Sequence, residues 1–358
     1  APEAVGDEMT RSARARLRPA SHHIALAALL LSALLAPRPG DGAPTAGERV
    51  RAVVFGDFNG PYGSTTYSPA VARVVRTIVD AWRPDIVLSA GDMIAGQKAD
   101  LPDARFPEMW RAFDAAVAAP LRRAGIPFAF ALGNHDASAA RSAGGAYLFQ
   151  RERDHAAAYW RDPAHRPRLD YASARDFPFA YGFLFKKVFF LVIDASSHVV
   201  QNHAWVQAAL ESAPARAAPM RVVLGHLPLY GVSMGRSKAG EVIEGGEGWR
   251  ARFEARGVDL YISGHHAAYY PAHRGRLRLL HSGGVGARRY VGHPHVPSRS
   301  TVTLLDIDPR VRAVAFVTYD VDTGARVELA ELPACLDGYN GPVFRFDLPQ
   351  AAGCAPGP

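Results

Sequence analysis

Residues 132–136 read Leu132-Gly133-Asn134-His135-Asp136 and directly follow the apolar run Pro127–Ala131. A short apolar run bounded by turn residues is typical of a buried strand. Gly133 lets the backbone turn sharply and lets another group approach closely. The amide, imidazole and carboxylate that follow are either ordinary turn and loop residues or part of a functional site.

The same order of apolar run, glycine and polar side chain recurs along the chain. It is found at Gly56-Asp57, Gly91-Asp92, Gly225-His226 and Gly264-His265. Ligands of α/β proteins bind outside the carboxyl ends of the strands, so these strand ends can converge on one point. Carboxylate, amide and imidazole groups are all metal ligands. The repeated pattern therefore predicts a metal site built from strand ends.

Strands and helices alternate from Arg49 to Asn134, which predicts a largely parallel sheet. Apolar strands at Arg276–Leu280, Thr301–Ile307 and Val311–Tyr319 are expected to form a second, mainly antiparallel sheet. The sequence predicts three regions: upstream residues and a signal peptide at 1–43, one large domain at 49–321, and a C-terminal tail at 322–358.

The amino-terminal region has the pattern of a secretory signal peptide. Arginines follow Met9, and the uninterrupted apolar run Ile24–Ala36 precedes a stretch of small residues and helix breakers. That run is shorter than the ~20 apolar residues of a spanning helix. We expect cleavage near Ala36 or Ala43, no stable membrane span afterwards, and a periplasmic or secreted protein. An uncleaved anchor is the alternative.

The composition, charge and cysteine content of the chain indicate which partners and reactions to expect. The chain has 358 residues, of which 48% are hydrophobic and 21% charged, as in soluble globular proteins. Its net charge of +7 comes with no lysine-rich block, so a nucleic-acid partner is not expected, whereas a phosphate-bearing substrate suits a mildly basic surface. The only cysteines, Cys335 and Cys354, can pair in an exported protein, and neither has the surroundings of a nucleophile.

Taken together, the five blocks at Asp57, Asp92, Gly133–Asp136, His226 and His265 resemble the calcineurin-like metallophosphoesterase superfamily. The resemblance covers roughly residues 50–319. The stretch from Gly264 to Pro271, with two adjacent histidines and two adjacent tyrosines, looks like the purple acid phosphatase-like bacterial branch.

The resemblance implies a mixed parallel and antiparallel α/β fold, a two-sheet αββα sandwich. It implies two divalent or transition metal ions (Fe, Mn or Zn) and hydrolysis of a phosphorylated small molecule or ester, mono- or diester, by a metal-bound hydroxide. The implied metal ligands are Asp57, Asn59, Asp92, Asn134, His226 and His265. The resemblance makes His135 the general acid, with Asp136 orienting its ring, and Arg288 and Arg289 are candidates for holding the phosphate.

The chain departs from the family pattern around the first metal. Family members place histidines or a tyrosine at the positions of Asn59, Ala95 and Ala267, and His266 is the only local substitute. We therefore expect an active phosphoesterase, which binds two metal ions or only one. The alternative is a catalytically impaired member that binds phosphate ligands or a protein partner. A structural protein of the cell envelope is a third reading.

Overall fold

The computed structural model describes residues 48–351, 353 and 354. Its strands are, in chain order, β1 (Val50–Val54), β2 (Ile86–Ser89), β3 (Phe128–Phe130), β4 (Asp170–Asp176), β5 (Ala180–Phe185), β6 (Val188–Val192), β7 (Met220–Leu224), β8 (Leu260–Ser263), β9 (Tyr270–Arg274), β10 (Leu277–His281), β11 (Thr301–Asp308), β12 (Ala313–Asp320), β13 (Cys335–Gly338) and β14 (Gly341–Arg345).

The first sheet has the strand order β12–β11–β1–β2–β3. Strands β1, β2 and β3 are parallel, while β11 and β12 extend the sheet by antiparallel pairing. The three parallel strands are almost wholly buried, as their continuous apolar sequences require. Their carboxyl ends lie at one edge of the sheet, and Asp57, Asp92 and Asn134 follow there.

The second sheet has the order β13–β14–β9–β10–β8–β7–β6–β5–β4. Strands β6, β7, β8 and β10 are parallel, and antiparallel strands flank them on both sides. His226 follows β7 and His265 follows β8. The mixed two-sheet α/β architecture predicted from the sequence is confirmed.

The helices connect and cover these strands. In chain order they are α1 (Pro69–Arg76), α2 (Arg105–Phe113), α3 (Ala119–Arg123), α4 (Asn134–Ala137), α5 (Gln150–Arg161), α6 (His203–Leu210), α7 (Ala213–Ala217) and α8 (Gly246–Ala255). Helix α1 begins after Ser68, whose hydroxyl accepts a hydrogen bond from the amide of Ala70, and Pro69 suits the first turn. Its buried side chains include Val71, Val74 and Val75, which lie at helical spacing.

Helix α5 is fastened to the first sheet by aromatic packing. The ring of Trp160 stacks on Phe130 of β3 with centroids 3.8 Å apart, and Trp110 of α2 meets Trp160 edge-on at 5.8 Å. All three rings are at most 2% exposed. The sequence predicts a helix at Tyr147–Trp160, and the structure has one at Gln150–Arg161, anchored in the core.

The grouping of strands predicted for the carboxyl-terminal half is wrong. Strands β11 and β12 belong to the first sheet, where β11 pairs with β1, whereas β10 lies in the second sheet beside β8. Alternation of apolar residues marks a strand but carries no information about its partner across a long loop, so pairing was decided by tertiary contacts.

The region 322–358, for which the sequence predicts no elements, contributes to the fold. Strands β13 and β14 form a hairpin, and β14 pairs antiparallel with β9. Cys335 and Cys354 form a disulfide with their Cα atoms 5.5 Å apart. The described part of this region therefore extends the second sheet.

The predicted signal peptide, residues 1–43, lies outside the described residues, and its cleavage remains a prediction. Within residues 48–351, 353 and 354, no helix has the length and apolar character needed to cross a membrane.

Candidate metal centre

The two sheets meet through contacts between their strand ends. The amide of Asp57 donates to the carbonyl of Gly91 at 2.8 Å, which joins the loops after β1 and β2. The amide of His265, after β8, donates to Oδ1 of Asp57 at 2.8 Å, and Nδ1 of His226, after β7, donates to the carbonyl of Ala90 at 2.7 Å. These contacts bring both sheets to one site.

The glycine before each polar residue permits this close approach. A Cβ at Gly133 would overlap the Asp92 carboxylate, and a Cβ at Gly264 would overlap the Asp57 carboxylate. Asp57, Asp92 and His265 themselves have left-handed backbones, with φ of 48°, 55° and 66°. Such conformations cost roughly 1–3 kcal/mol each and cluster at functional sites.

Three buried side chains form a compact donor set. Ligand atoms of Asp92, His226 and His265 lie within 4.8 Å of one another. Oδ1 of Asn134 lies 2.8 Å from Nε2 of His226 and 2.8 Å from Nδ1 of His265. A carboxylate, an amide oxygen and two imidazoles suit Zn, Mn or Fe, so these residues fit a bound transition metal.

A second layer of contacts orients these donors. The carbonyl of Ala90 holds Nδ1 of His226, and Oε2 of Glu241 lies 2.8 Å from Nε2 of His265. The side-chain amide of Asn134 donates to Oε1 of Gln97 at 2.5 Å, which turns its oxygen towards the histidines. Partners of this kind fix the tautomer and ring orientation of metal-binding histidines.

The electrostatics of the cluster favour a cation. Burial, aided by the neighbouring charge of Asp92, raises the pKa of Asp57 to about 7. Burial opposes a charge on His226, but the Asp92 carboxylate outweighs it and raises the pKa of His226 to about 9. Burial lowers the pKa of His265 to about 4. The Asp57 carboxyl group is therefore stabilised by a proton or by a positive ion, because water is excluded from it.

The first metal position is incomplete, as the sequence departures predict. Oδ2 of Asp57 is buried and has no hydrogen-bond partner among the described residues. Asn59 is half-buried and lines the same cavity as Asp57, whereas Ala95 and Ala267 have only methyl side chains. Of the family's expected ligands, the chain retains only Asp57, Asp92 and the Asn59 amide there.

His266 does not fill that position. Its Nδ1 accepts from the amide of Val232 at 3.2 Å, and its Nε2 donates to the carbonyl of Glu241 at 3.0 Å. The ring is fully buried. Both nitrogens thus hold the loop between β7 and α8, in agreement with the expectation that this histidine points away from the metal.

His135 lies at the mouth of the site, and Asp136 does not orient it. Nδ1 of His135 lies 3.1 Å from the carbonyl oxygen of Gly96, and its amide donates to Oδ1 of Asp92 at 3.0 Å. Both oxygens of Asp136 accept from backbone amides, those of Met93 and Ile94 on Oδ1 and that of Gly133 on Oδ2. The prediction that Asp136 positions the imidazole is wrong, because the tight turn after Gly133 directs its carboxylate inward.

Two cavities open at the metal centre and share the residues between them. One, of about 470 Å³, is lined by Asp57, Asn59, Ala267 and Arg288; the other, of about 210 Å³, is lined by Asn134 and three serines. Both are lined by Tyr62, His135, Arg236 and His265. Arg288, which is exposed, lines the larger cavity, while the equally exposed Arg289 does not; phosphate binding by either arginine stays a prediction.

Sequence reasoning missed several of these residues. Arg236 and Glu241 come from the glycine-rich loop between β7 and α8, and Gln97 and Tyr62 come from loops after β2 and β1. The one signal for the first pair is that their loop begins directly after His226, and nothing in the sequence singles out Arg236 or Glu241 within it.

A family model described as calcineurin-like phosphoesterase matches residues 50–269. Among solved structures, a purple acid phosphatase, PPD1, from yellow lupin (Lupinus luteus) seeds is similar with a TM-score of 0.53 and 16% identity, over 80% of this chain and 54% of that one. GAP50, the anchor in the inner membrane complex of Plasmodium, has a TM-score of 0.50 and 14% identity, over 78% of this chain and 87% of that one.

This chain therefore spans about half the length of the lupin protein. No curated protein matches it significantly in sequence. Likeness at these identities shows the fold alone, whereas the family model covers most of the chain and includes all five strand-end blocks. The chain belongs to the calcineurin-like phosphoesterase family.

Proposed function

We propose that the protein is an exported, metal-dependent phosphoesterase that hydrolyses a phosphate mono- or diester. The observation that carries this proposal is the buried donor set of Asp92, Asn134, His226 and His265, whose ligand atoms converge at the strand ends. Export rests on the pattern of residues 1–43 alone.

The chain's own residues account for the steps of such a reaction. A bound divalent ion supplies positive charge to the phosphoryl oxygens and lowers the pKa of a water molecule. Nδ1 of His135 donates to the Gly96 carbonyl, so it is the imidazolium form of the ring, with a second proton on Nε2, that can give a proton to the leaving oxygen. Burial of Asp92 and His226 keeps bulk water away from the donors.

Metal analysis and hydrolysis assays test the proposal together. We expect the purified protein to bind nearer one ion per chain than two, and to hydrolyse chromogenic mono- or diesters with at least one of Mn, Fe, Zn and Co. Folded protein without any bound transition metal would contradict the enzyme reading.

Two ligand variants test the convergence of strand ends. His226→Ala and Asn134→Ala should each weaken metal binding by at least about 10- to 100-fold. That is the loss typical of changing a residue that only orients a metal ligand. His295→Ala, at an exposed histidine, is the matched control. Unchanged metal content in both ligand variants would mean that these residues do not form the site.

A partner-binding protein without catalysis is the second candidate. The missing ligands at Asn59, Ala95 and Ala267 favour it, and the fold of GAP50, described as an anchor, is similar. Absence of hydrolysis across the metal panel, with metal bound, would favour this reading.

N-terminal analysis of the protein recovered from cell fractions tests export. We expect a mature chain that begins after Ala36 or Ala43 and is found outside the cytoplasm. An intact leader on cytoplasmic protein would contradict export.

A further inference from the structure

The cavity of about 470 Å³ next to Asp57 lies where the family resemblance implies the first metal ion. Asp57 supplies a buried carboxylate oxygen without a partner among the described residues. The chain offers methyl groups at Ala95 and Ala267, and His266 is held by backbone groups of a loop. The residues around Asp57 therefore do not fit a metal ion at the first metal position in addition to the one at Asp92, His226 and His265.

The guanidinium of Arg236 lies beside this position. Its Nη1 is 2.9 Å from Nδ1 and 3.0 Å from Nε2 of His265, and 3.6 Å from Oε2 of Glu241. Its side chain is 21% exposed. Because Arg236 lines both cavities, it stands where they join, next to the metal donors.

A second arginine, the exposed Arg288, also lines this cavity. The amide of Arg288 donates to the carbonyl of Ala267 at 2.9 Å, which places Arg288 next to the position of the missing ligand. Burial and the positive charge of Arg236 both lower the pKa of Arg288. The carboxylates of Glu241 and Asp57 offset part of the repulsion between the two arginines, and a phosphate anion bound between the arginines would offset more of it.

We propose that Arg236, assisted by Arg288, holds the substrate's phosphoryl group beside a single metal ion and takes the place of the cation that the resemblance implies at the first metal position. A guanidinium stays charged at all working pH values and presents paired donors that match two phosphate oxygens. Glu241 bonds His265 and lies beside Arg236, so it keeps the guanidinium next to the metal donors. The inference rests on the proposed function, since it concerns the substrate of that site.

Phosphate binding by the metal-loaded protein tests this assignment without relying on turnover. Calorimetric titration with inorganic phosphate should show a dissociation constant about 10- to 100-fold higher for Arg236→Ala than for the wild type, the loss expected for charged hydrogen bonds. Arg236→Lys should recover part of the affinity, because a point charge remains but the paired donors do not. Added guanidinium should partly restore binding to Arg236→Ala.

The control is Arg123→Ala, which removes the same charge from an exposed position on α3. Its phosphate affinity should equal that of the wild type. Metal stoichiometry, measured on every sample, should stay unchanged in Arg236→Ala, since Arg236 is no ligand.

Equal phosphate affinity in Arg236→Ala and the wild type would overturn the inference, as would two metal ions per wild-type chain. A protein that hydrolyses no ester but binds phosphate through Arg236 would contradict the proposed function and leave the inference standing. The two failures are therefore distinguishable.

Discussion

At the scale of single residues, the site depends on side chains placed where the backbone is strained. Asp57, Asp92, His265 and Ala267 all have positive φ values, between 45° and 66°. For residues other than glycine this is uncommon, and it persists only where surrounding contacts hold the backbone. Here the contacts between the two sheets provide that support, so the donors are positioned before any ligand arrives.

His135 should act on turnover and not on metal binding. Its ring is held by the Gly96 carbonyl and lies 5.2 Å from the Tyr62 ring. We expect His135→Ala to retain its metal and to lower kcat by ~10²–10⁴-fold, the contribution typical of a general acid. Steady-state kinetics with metal analysis of the same samples checks this. A variant that loses metal, or keeps full activity, would contradict the role.

Position 267 tests whether a metal ligand has been lost. Ala267→His should raise metal stoichiometry above the wild-type value and increase activity, since it places an imidazole where the family has one. A histidine tolerates the φ of 45° at this position better than most residues.

The matched control is Ala267→Phe, which adds a ring of similar size without a ligand atom. His266 is hydrogen-bonded to backbone groups of Val232 and Glu241, in the loop between β7 and α8. His266→Ala should therefore disturb this loop and leave the first metal position unchanged. No change in metal stoichiometry or rate in Ala267→His would mean that the cavity is not built for a second ion.

At the scale of elements, helix α5 positions the loop behind the metal centre. Glu152 of α5 accepts a hydrogen bond from the amide of Gln97 at 2.9 Å, and Gln97 in turn holds Asn134. The neighbouring Gly96 holds the His135 ring. One buried carboxyl group on α5 therefore supports the loop that holds both Asn134 and His135.

Glu152 should make stability depend on pH. Burial raises its pKa to about 7 from an ordinary 4.5. Between pH 4.5 and about 7, the Glu152 carboxyl is protonated in the folded state and ionised in the unfolded state. The stabilising contribution of Glu152 is therefore lost as the pH rises through about 7. Glu152→Gln has no such loss. The free energy of unfolding of Glu152→Gln, minus that of the wild type, should therefore rise between pH 5 and 8 by on the order of 1–3 kcal/mol.

Denaturant unfolding of both proteins across this pH range measures the difference. Curves that stay parallel from pH 5 to 8 would show that Glu152 keeps an ordinary pKa. Glu152→Ala serves as the contrast, because it leaves the Gln97 amide without its acceptor and should be less stable than Glu152→Gln at every pH.

At the scale of the whole molecule, the disulfide joins the chain's last described residues to the second sheet. Cys335 lies in β13 and bonds to Cys354, 19 residues further on. Closing a loop of this size stabilises a protein by roughly 3 kcal/mol. Reduction, or a Cys354→Ser substitution, should lower the free energy of unfolding by about that amount. Denaturation with and without reductant measures it, and an unchanged midpoint would show that the hairpin holds without the bond.

The sequence alone determined the type of fold and most of the candidate donors. Apolar runs that end in glycine and a ligand-forming residue are local signals, and parallel strands bring such ends to one edge for any tertiary arrangement of the helices. This is why the sequence identifies Asp57, Asp92, Asn134, His226 and His265, whereas the departures at Asn59 and Ala267 follow only from the family resemblance.

Only the tertiary structure decided which strands pair and which residues complete the site. The joining of β11 to β1, the inward turn of the Asp136 carboxylate and the approach of Arg236 and Glu241 to His265 all depend on contacts between residues distant in sequence. Local patterns specify periodicity and turns, but the direction of a loop is set by what it packs against. The glycine-rich loop after β7 has no periodic pattern, so its arginine became recognisable as part of the site only once both sheets were in place.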